Sequence, residues 1–148
     1  LCTGEFRPNC GAGSSGDAHA AIAVGYKNKK FTRVISSYIV QGGDIRLDES
    51  QSDSGIVSIY DQAPFDDENF IVSHNQPGII SMAKVGDSNK NGSEFFITCS
   101  DCGNLDGKYV AFGQILPESM HILRQIECVK VYSSTPAQDI IIIECGQM

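Results

Sequence analysis

No apolar run in the sequence approaches the roughly 20 residues that span a bilayer, and cations are few, 11 Lys and Arg against 18 Asp and Glu. The first absence excludes a membrane-spanning helix, and no membrane partner is expected. The second gives a formal net charge of -7 and argues against nucleic acid as the main partner, because phosphate binding needs a concentrated basic surface. The run Lys27-Asn28-Lys29-Lys30 is too short to supply one. The start, LCTGEFRPNC, lacks the basic residues and apolar centre of a secretory signal. Its first residue is Leu, so the sequence reads as part of a longer chain. A soluble intracellular protein is expected, cytoplasmic by default, with nuclear or cytoskeletal placement left open.

Metal-ligand spacing is also missing. Cys99-Ser100-Asp101-Cys102 has the CxxC spacing of a redox pair or half a zinc site, but there is no second CxxC, and His19, His74 and His121 are scattered. Two unrelated loop thiols is the simpler reading; no metal and no cofactor are expected. The six cysteines, Cys2, Cys10, Cys99, Cys102, Cys128 and Cys145, are expected as reduced thiols, since disulfide frameworks belong to smaller, core-poor secreted domains. Asn91-Gly92-Ser93 matches a glycosylation acceptor but reads as a turn in an intracellular chain.

What is present is a succession of short β-rich runs. The length of 148 residues, 41% hydrophobic and 20% charged, suits a single domain over 1–148. Residues 6–26, FRPNCGAGSSGDAHAAIAVGY, are rich in Gly, Ala and Ser without a sustained period and read as a flexible inserted loop. After it come FTRVI, YIVQ, VSIY, NFIVS, GIISMA, EFFIT, YVAFGQIL and DIIIIE, bounded by Gly, Asn, Asp, Ser or Pro. Only Glu118 to Glu127 looks helical: Met120, Leu123 and Ile126 fall three apart, and Pro117 stands just ahead. Many strands and one late helix suggest a mainly β chain, a closed or nearly closed antiparallel β-barrel.

The blocks FTRVISSYIVQGGDI (Phe31 to Ile45), FDDENF (Phe65 to Phe70), PGIISMA (Pro77 to Ala83), NGSEFFIT (Asn91 to Thr98), LDGKYVAFGQI (Leu105 to Ile115) and the terminal ECGQM resemble, in order and spacing, the cyclophilin family of peptidyl-prolyl cis-trans isomerases. The resemblance covers almost everything from Phe31 to Met148, and LCTGE resembles the family's CTGE segment, which follows its first two strands and first helix. It implies an eight-stranded antiparallel barrel, incomplete at its N-terminus in this sequence, with a peptide groove on its outer face. It also implies rotation about X-Pro bonds of proline-containing peptide or protein segments.

By residue type alone, Arg33 reads equally as an exposed strand residue, and Gln41 as the end of a strand before a Gly-Gly turn. The resemblance makes Arg33 the catalytic cation, a planar fork of donors, and Gln41 the residue that positions it and contacts the peptide. It places the proline pocket at Tyr38, Ile39, Phe96 and Leu105; Tyr38 adds a hydroxyl, and Ile39 is a stiff β-branched side chain in place of a flexible methionine. The family's backbone-binding ANA segment is Ala83-Lys84-Val85, its groove glutamine is Glu94, its tryptophan is Asn104 and its histidine is Tyr109. Segment 46–54 is longer than in the family.

Glu94 matters most among these departures. A carboxylate within about 4–6 Å of Arg33 attracts the guanidinium away from substrate and offers acceptors only. Two functions follow. The first is a prolyl isomerase with a degenerate site and weak or altered activity. The second is a cyclophilin-like module impaired in catalysis, serving as a component of a larger intracellular assembly that covers what an incomplete barrel exposes.

Overall fold

The computed structural model describes residues 25–45, 58, 63–84 and 90–146. Five strands form one antiparallel sheet: β1 (Phe31–Ile35), β2 (Ile39–Gly42), β3 (Ile79–Lys84), β4 (Asn91–Thr98) and β5 (Ala111–Gln114), in the order β1-β2-β4-β3-β5. One helix, α1 (Met120–Glu127), follows, then a two-stranded ribbon of β6 (Val131–Tyr132) and β7 (Thr135–Pro136). The mainly β, antiparallel architecture with one late helix is therefore present. Among the described residues the sheet has two ends, β1 and β5, and does not close on itself.

Strand alternation builds two cores from one sheet, because successive side chains point to opposite faces. On one face Val34, Val40, Ile97 and Cys99 pack around Leu123 of α1. The helix turns its periodic Met120, Leu123 and Ile126 towards this cluster, while Pro117–Ser119 form a 3₁₀ turn at its start. On the other face Ile39, Ala83, Phe96, Cys102 and Leu105 form a second cluster. Phe95 belongs to the first face, edge-on to Tyr26 and Phe31 at ring-centroid distances of 5.4 and 6.0 Å.

The β1–β2 hairpin sets the groove's position. Ser37 sits at φ 58, a left-handed conformation that lets a short loop match strand twist, and the Tyr38 N–H donates to the Ile35 carbonyl at 3.0 Å. Tyr38 thus lies in the turn, not in the strand expected for YIVQ. The turn is tied down by the Ser100 hydroxyl, which donates to the Ser37 carbonyl at 2.7 Å. The Cys99 N–H donates to the Tyr38 carbonyl at 2.8 Å.

Three expectations need correction. NFIVS is not a strand: the Ile71 N–H donates to the Asn69 side chain at 3.1 Å, an Asx turn that competes with sheet pairing, and Ile71 is 85% exposed. DIIIIE is extended but bridged at only one residue pair, Lys30 with Ile141. Asn91 is no surface turn; it opens β4 fully buried, its amide donating to the Phe65 carbonyl and to Asp67. The expected strand VSIY, the segment 46–54 and all of the 6–26 loop before Gly25 lie outside the described residues, apart from buried Ser58.

Candidate functional site

One row of side chains crosses the second face of the sheet. Arg33 stands opposite Gln41, Gln41 opposite Phe96, and Phe96 opposite Ser81. Opposed residues share a face, and with strands about 4.8 Å apart the row spans about 14 Å. A cavity of ≈ 230 Å³ opens over it, lined by Arg33, Ile35, Tyr38, Ile39, Gln41, Ala83, Lys84, Phe96, Leu105 and Tyr109. That is smaller than the roughly 300–1,000 Å³ of pockets for drug-sized ligands and suits one side chain. Four sequence positions far apart, 33–41, 83–84, 96 and 105–109, converge here.

The floor is apolar and rigidly held. Phe96 is 2% exposed, with Tyr109 edge-on at 5.3 Å and Leu105 buried beside it. Beneath, the His74 ring stacks on Phe96 at 6.1 Å and an interplanar angle of 25°. His74 is wholly buried; its Nδ1 lies 2.8 Å from Asp106 Oδ1 and its Nε2 2.7 Å from Ser81 Oγ. The backbone and side-chain hydrogen bonds from His74 lower the Asp106 pKa from its ordinary value. Although Ser81, His74 and Asp106 are the residue types of a hydrolytic triad, Ser81 has 0% exposure and cannot meet a substrate. The chain of bonds is a support for Phe96.

The rim is polar. Arg33 is exposed and, among the described residues, has neither an ion-pair nor a hydrogen-bond partner. Glu94 therefore does not capture it. Instead Gln41 Nε2 donates to Glu94 Oε2 at 2.8 Å, so the glutamine holds the carboxylate. Opposite, Lys84 Nζ pairs with Asp67 at 2.6 Å, both side chains 8% exposed, and its charge lies 5.7 Å from the ring centroids of Phe70 and Tyr109. Burial by itself raises the Asp67 pKa, but the bonds from Lys84 and Asn91 outweigh it and hold the group below its ordinary value.

Glu94 and Asn104 are not among the residues that line the cavity; each is hydrogen-bonded to one that does. Asn104 Nδ2 donates to the Tyr38 hydroxyl at 2.9 Å. Val85 lies outside the described residues. Sequence reasoning missed two contributors. Ile35 lines the cavity as the cross-strand partner of Ile39, a position the hairpin register alone would have revealed. His74 had no local signal, because its partners are 7 and 32 residues away. Of the CxxC pair, both Cys99 and Cys102 are buried free thiols; burial, with Glu127 nearby, pushes Cys99 up to about 12, which suits a core thiol and not a redox nucleophile.

The sequence is similar to that of known proteins along almost its whole length. The family model described as cyclophilin type peptidyl-prolyl cis-trans isomerase/CLD matches residues 2–147. The chain is 40% identical over its whole length to peptidyl-prolyl cis-trans isomerase CYP22 of Arabidopsis thaliana, covering 67% of that protein. It is 42% identical to peptidyl-prolyl cis-trans isomerase H of Rhizopus delemar, again over its whole length and 75% of the relative. The corresponding protein of Mycosarcoma maydis is 40% identical, with 85% covered. A family match over nearly every residue, with relatives at this identity, establishes that the chain belongs to the cyclophilin-type peptidyl-prolyl cis-trans isomerase family.

Proposed function

We propose that the groove catalyses cis/trans rotation of X-Pro bonds in peptide or protein segments, with altered and reduced activity. No covalent bond is made or broken. The barrier of about 18–20 kcal/mol comes from amide resonance, so it falls when proline is held in an apolar pocket and donors favour a pyramidal, single-bond-like nitrogen. Phe96, Leu105, Ile39 and Tyr38 form the pocket; Arg33 supplies the preorganised donors; Gln41, Ala83, Lys84 and Tyr109 border the peptide. The observation that carries this reading is Arg33, without a partner among the described residues, at the rim of a cavity floored by Phe96. The reduction rests on Glu94, which takes one of the two N–H donors of the Gln41 amide that could otherwise meet a peptide carbonyl.

Exchange spectroscopy on a proline tetrapeptide tests the proposal. Acceleration of cis/trans exchange is expected, falling about 10²–10³-fold in Arg33→Ala, the usual cost of one preorganised donor. Equal rates for the two proteins would remove the isomerase reading.

A second reading, an interaction module within a larger assembly, draws support from the segment around Ile141. Its one bridged edge meets Lys30, while Ile141 and Ile143 are 47% and 80% exposed, apolar surface of the kind that partners cover. A monodisperse monomer on sizing would count against it. The free state of Cys99, Cys102, Cys128 and Cys145 supports an intracellular location, and no helix among the described residues is long and apolar enough to cross a membrane.

A further inference from the structure

We propose that Tyr38 and Asn104 form a clamp for a peptide unit at the mouth of the cavity, selecting segments in which that unit keeps its N–H; the proposal rests on reading the groove as a prolyl-peptide site. Asn104 Nδ2 donates to the Tyr38 hydroxyl at 2.9 Å. A phenol has one proton to donate and a side-chain amide has a carbonyl to accept. With Tyr38 accepting from Asn104, the phenolic proton and Asn104 Oδ1 both remain unused among the described residues. One donor and one acceptor thus stand side by side, held by the bond between their side chains. Exchanging the amide's oxygen and nitrogen still leaves both kinds of group side by side, with the phenol oxygen then the acceptor and an amide N–H the donor.

A secondary peptide unit offers the complement, a C=O for the phenol and an N–H for the carboxamide. An ester or an N-alkylated unit, proline included, lacks the N–H. Position favours this use. Tyr38 lines the cavity and Asn104 is exposed in the 3₁₀ turn Gly103–Leu105. Gln41 and its cross-strand partner Arg33 lie three residues further along, about 10 Å at the rise of an extended chain. When Arg33 addresses the prolyl amide, the clamp therefore falls on a peptide unit within about three residues of it. Neither side chain is needed for the core: Asn104 is exposed and Tyr38 half-buried.

The test combines protein variants with an ester scan of a proline hexapeptide, reading affinity by titration and turnover by exchange spectroscopy. In the wild type, an ester at one flanking unit is expected to weaken binding about fivefold, the worth of one hydrogen bond, while esters elsewhere cost less. In Asn104→Ala the all-amide peptide should bind about fivefold more weakly and the ester position should lose its distinction. Tyr38→Phe should raise KM with kcat nearly retained, a split that general loosening of the pocket would not give. Wild-type affinity in both variants, or the same ester penalty in Asn104→Ala as in the wild type, would overturn the clamp. Arg33→Ala separates the two proposals: lost turnover with ester discrimination intact supports both. Binding without turnover in the wild type sinks the isomerase reading alone, and absence of peptide binding sinks both.

Discussion

Replacing His74 by leucine should strand the Ser81 hydroxyl. That hydroxyl has 0% exposure and meets His74 Nε2 at 2.7 Å, so no water can replace the lost partner. A buried polar group left without a hydrogen bond costs about 1–3 kcal/mol, and the ring stacking beneath Phe96 is lost as well. The total expected destabilisation is about 2–4 kcal/mol, combining that cost with roughly 0.5–1.5 kcal/mol for an aromatic pair. With a urea m-value of about 1–3 kcal/mol/M, the midpoint should fall by about 1 M or more. The chain has no tryptophan, so far-UV circular dichroism is the suitable probe. Removing both partners is predicted to be milder than removing one: His74→Leu with Ser81→Ala should recover about 1–3 kcal/mol, because no polar group is then left stranded. A double variant no more stable than His74→Leu would refute the argument that the hydroxyl needs the imidazole.

The buried pair of Lys84 and Asp67 gives a pH-dependent prediction. Lys84→Met leaves a carboxylate that is 8% exposed without its cation and should cost about 3–5 kcal/mol near neutrality. Because the Asp67 pKa is lowered on folding, its contribution to the wild type is complete above the unfolded value near 3.9 and disappears as pH falls through the depressed native value. The stability gap between wild type and variant should therefore narrow in acid; a gap independent of pH would contradict the pairing. For the thiols, alkylation of the native protein at neutral pH followed by peptide mapping should label exposed Cys128 well before Cys99, which burial pushes up to about 12. Equal rates would show that Cys99 is not held in the core.

Strand by strand, legibility followed the source of order. FTRVI, GIISMA and EFFIT were readable because alternating β-branched and aromatic residues coincide with strands paired on both sides or closed by a tight hairpin. The helix was readable from its period, and Met120, Leu123 and Ile126 do face the core. NFIVS has the same composition but no neighbouring strand; the Asn69 turn decides its conformation, and propensity cannot report whether a neighbour exists. Glu94 shows the same limit at the site. Sequence places a carboxylate near a guanidinium, but the register puts Gln41 between Arg33 and Phe96, and it is the amide that takes the charge.

The sequence by itself determined the family and the mainly β architecture, because those follow from block order, strand period and residue type. Tertiary structure alone decided which of these side chains meet. It set Arg33 free of any partner among the described residues, bound Glu94 to Gln41, joined Asn104 to Tyr38 across 66 residues and placed His74 under Phe96. These pairings depend on strand register and on loops that fold back over the sheet, and no local pattern of residues records where a distant segment will arrive.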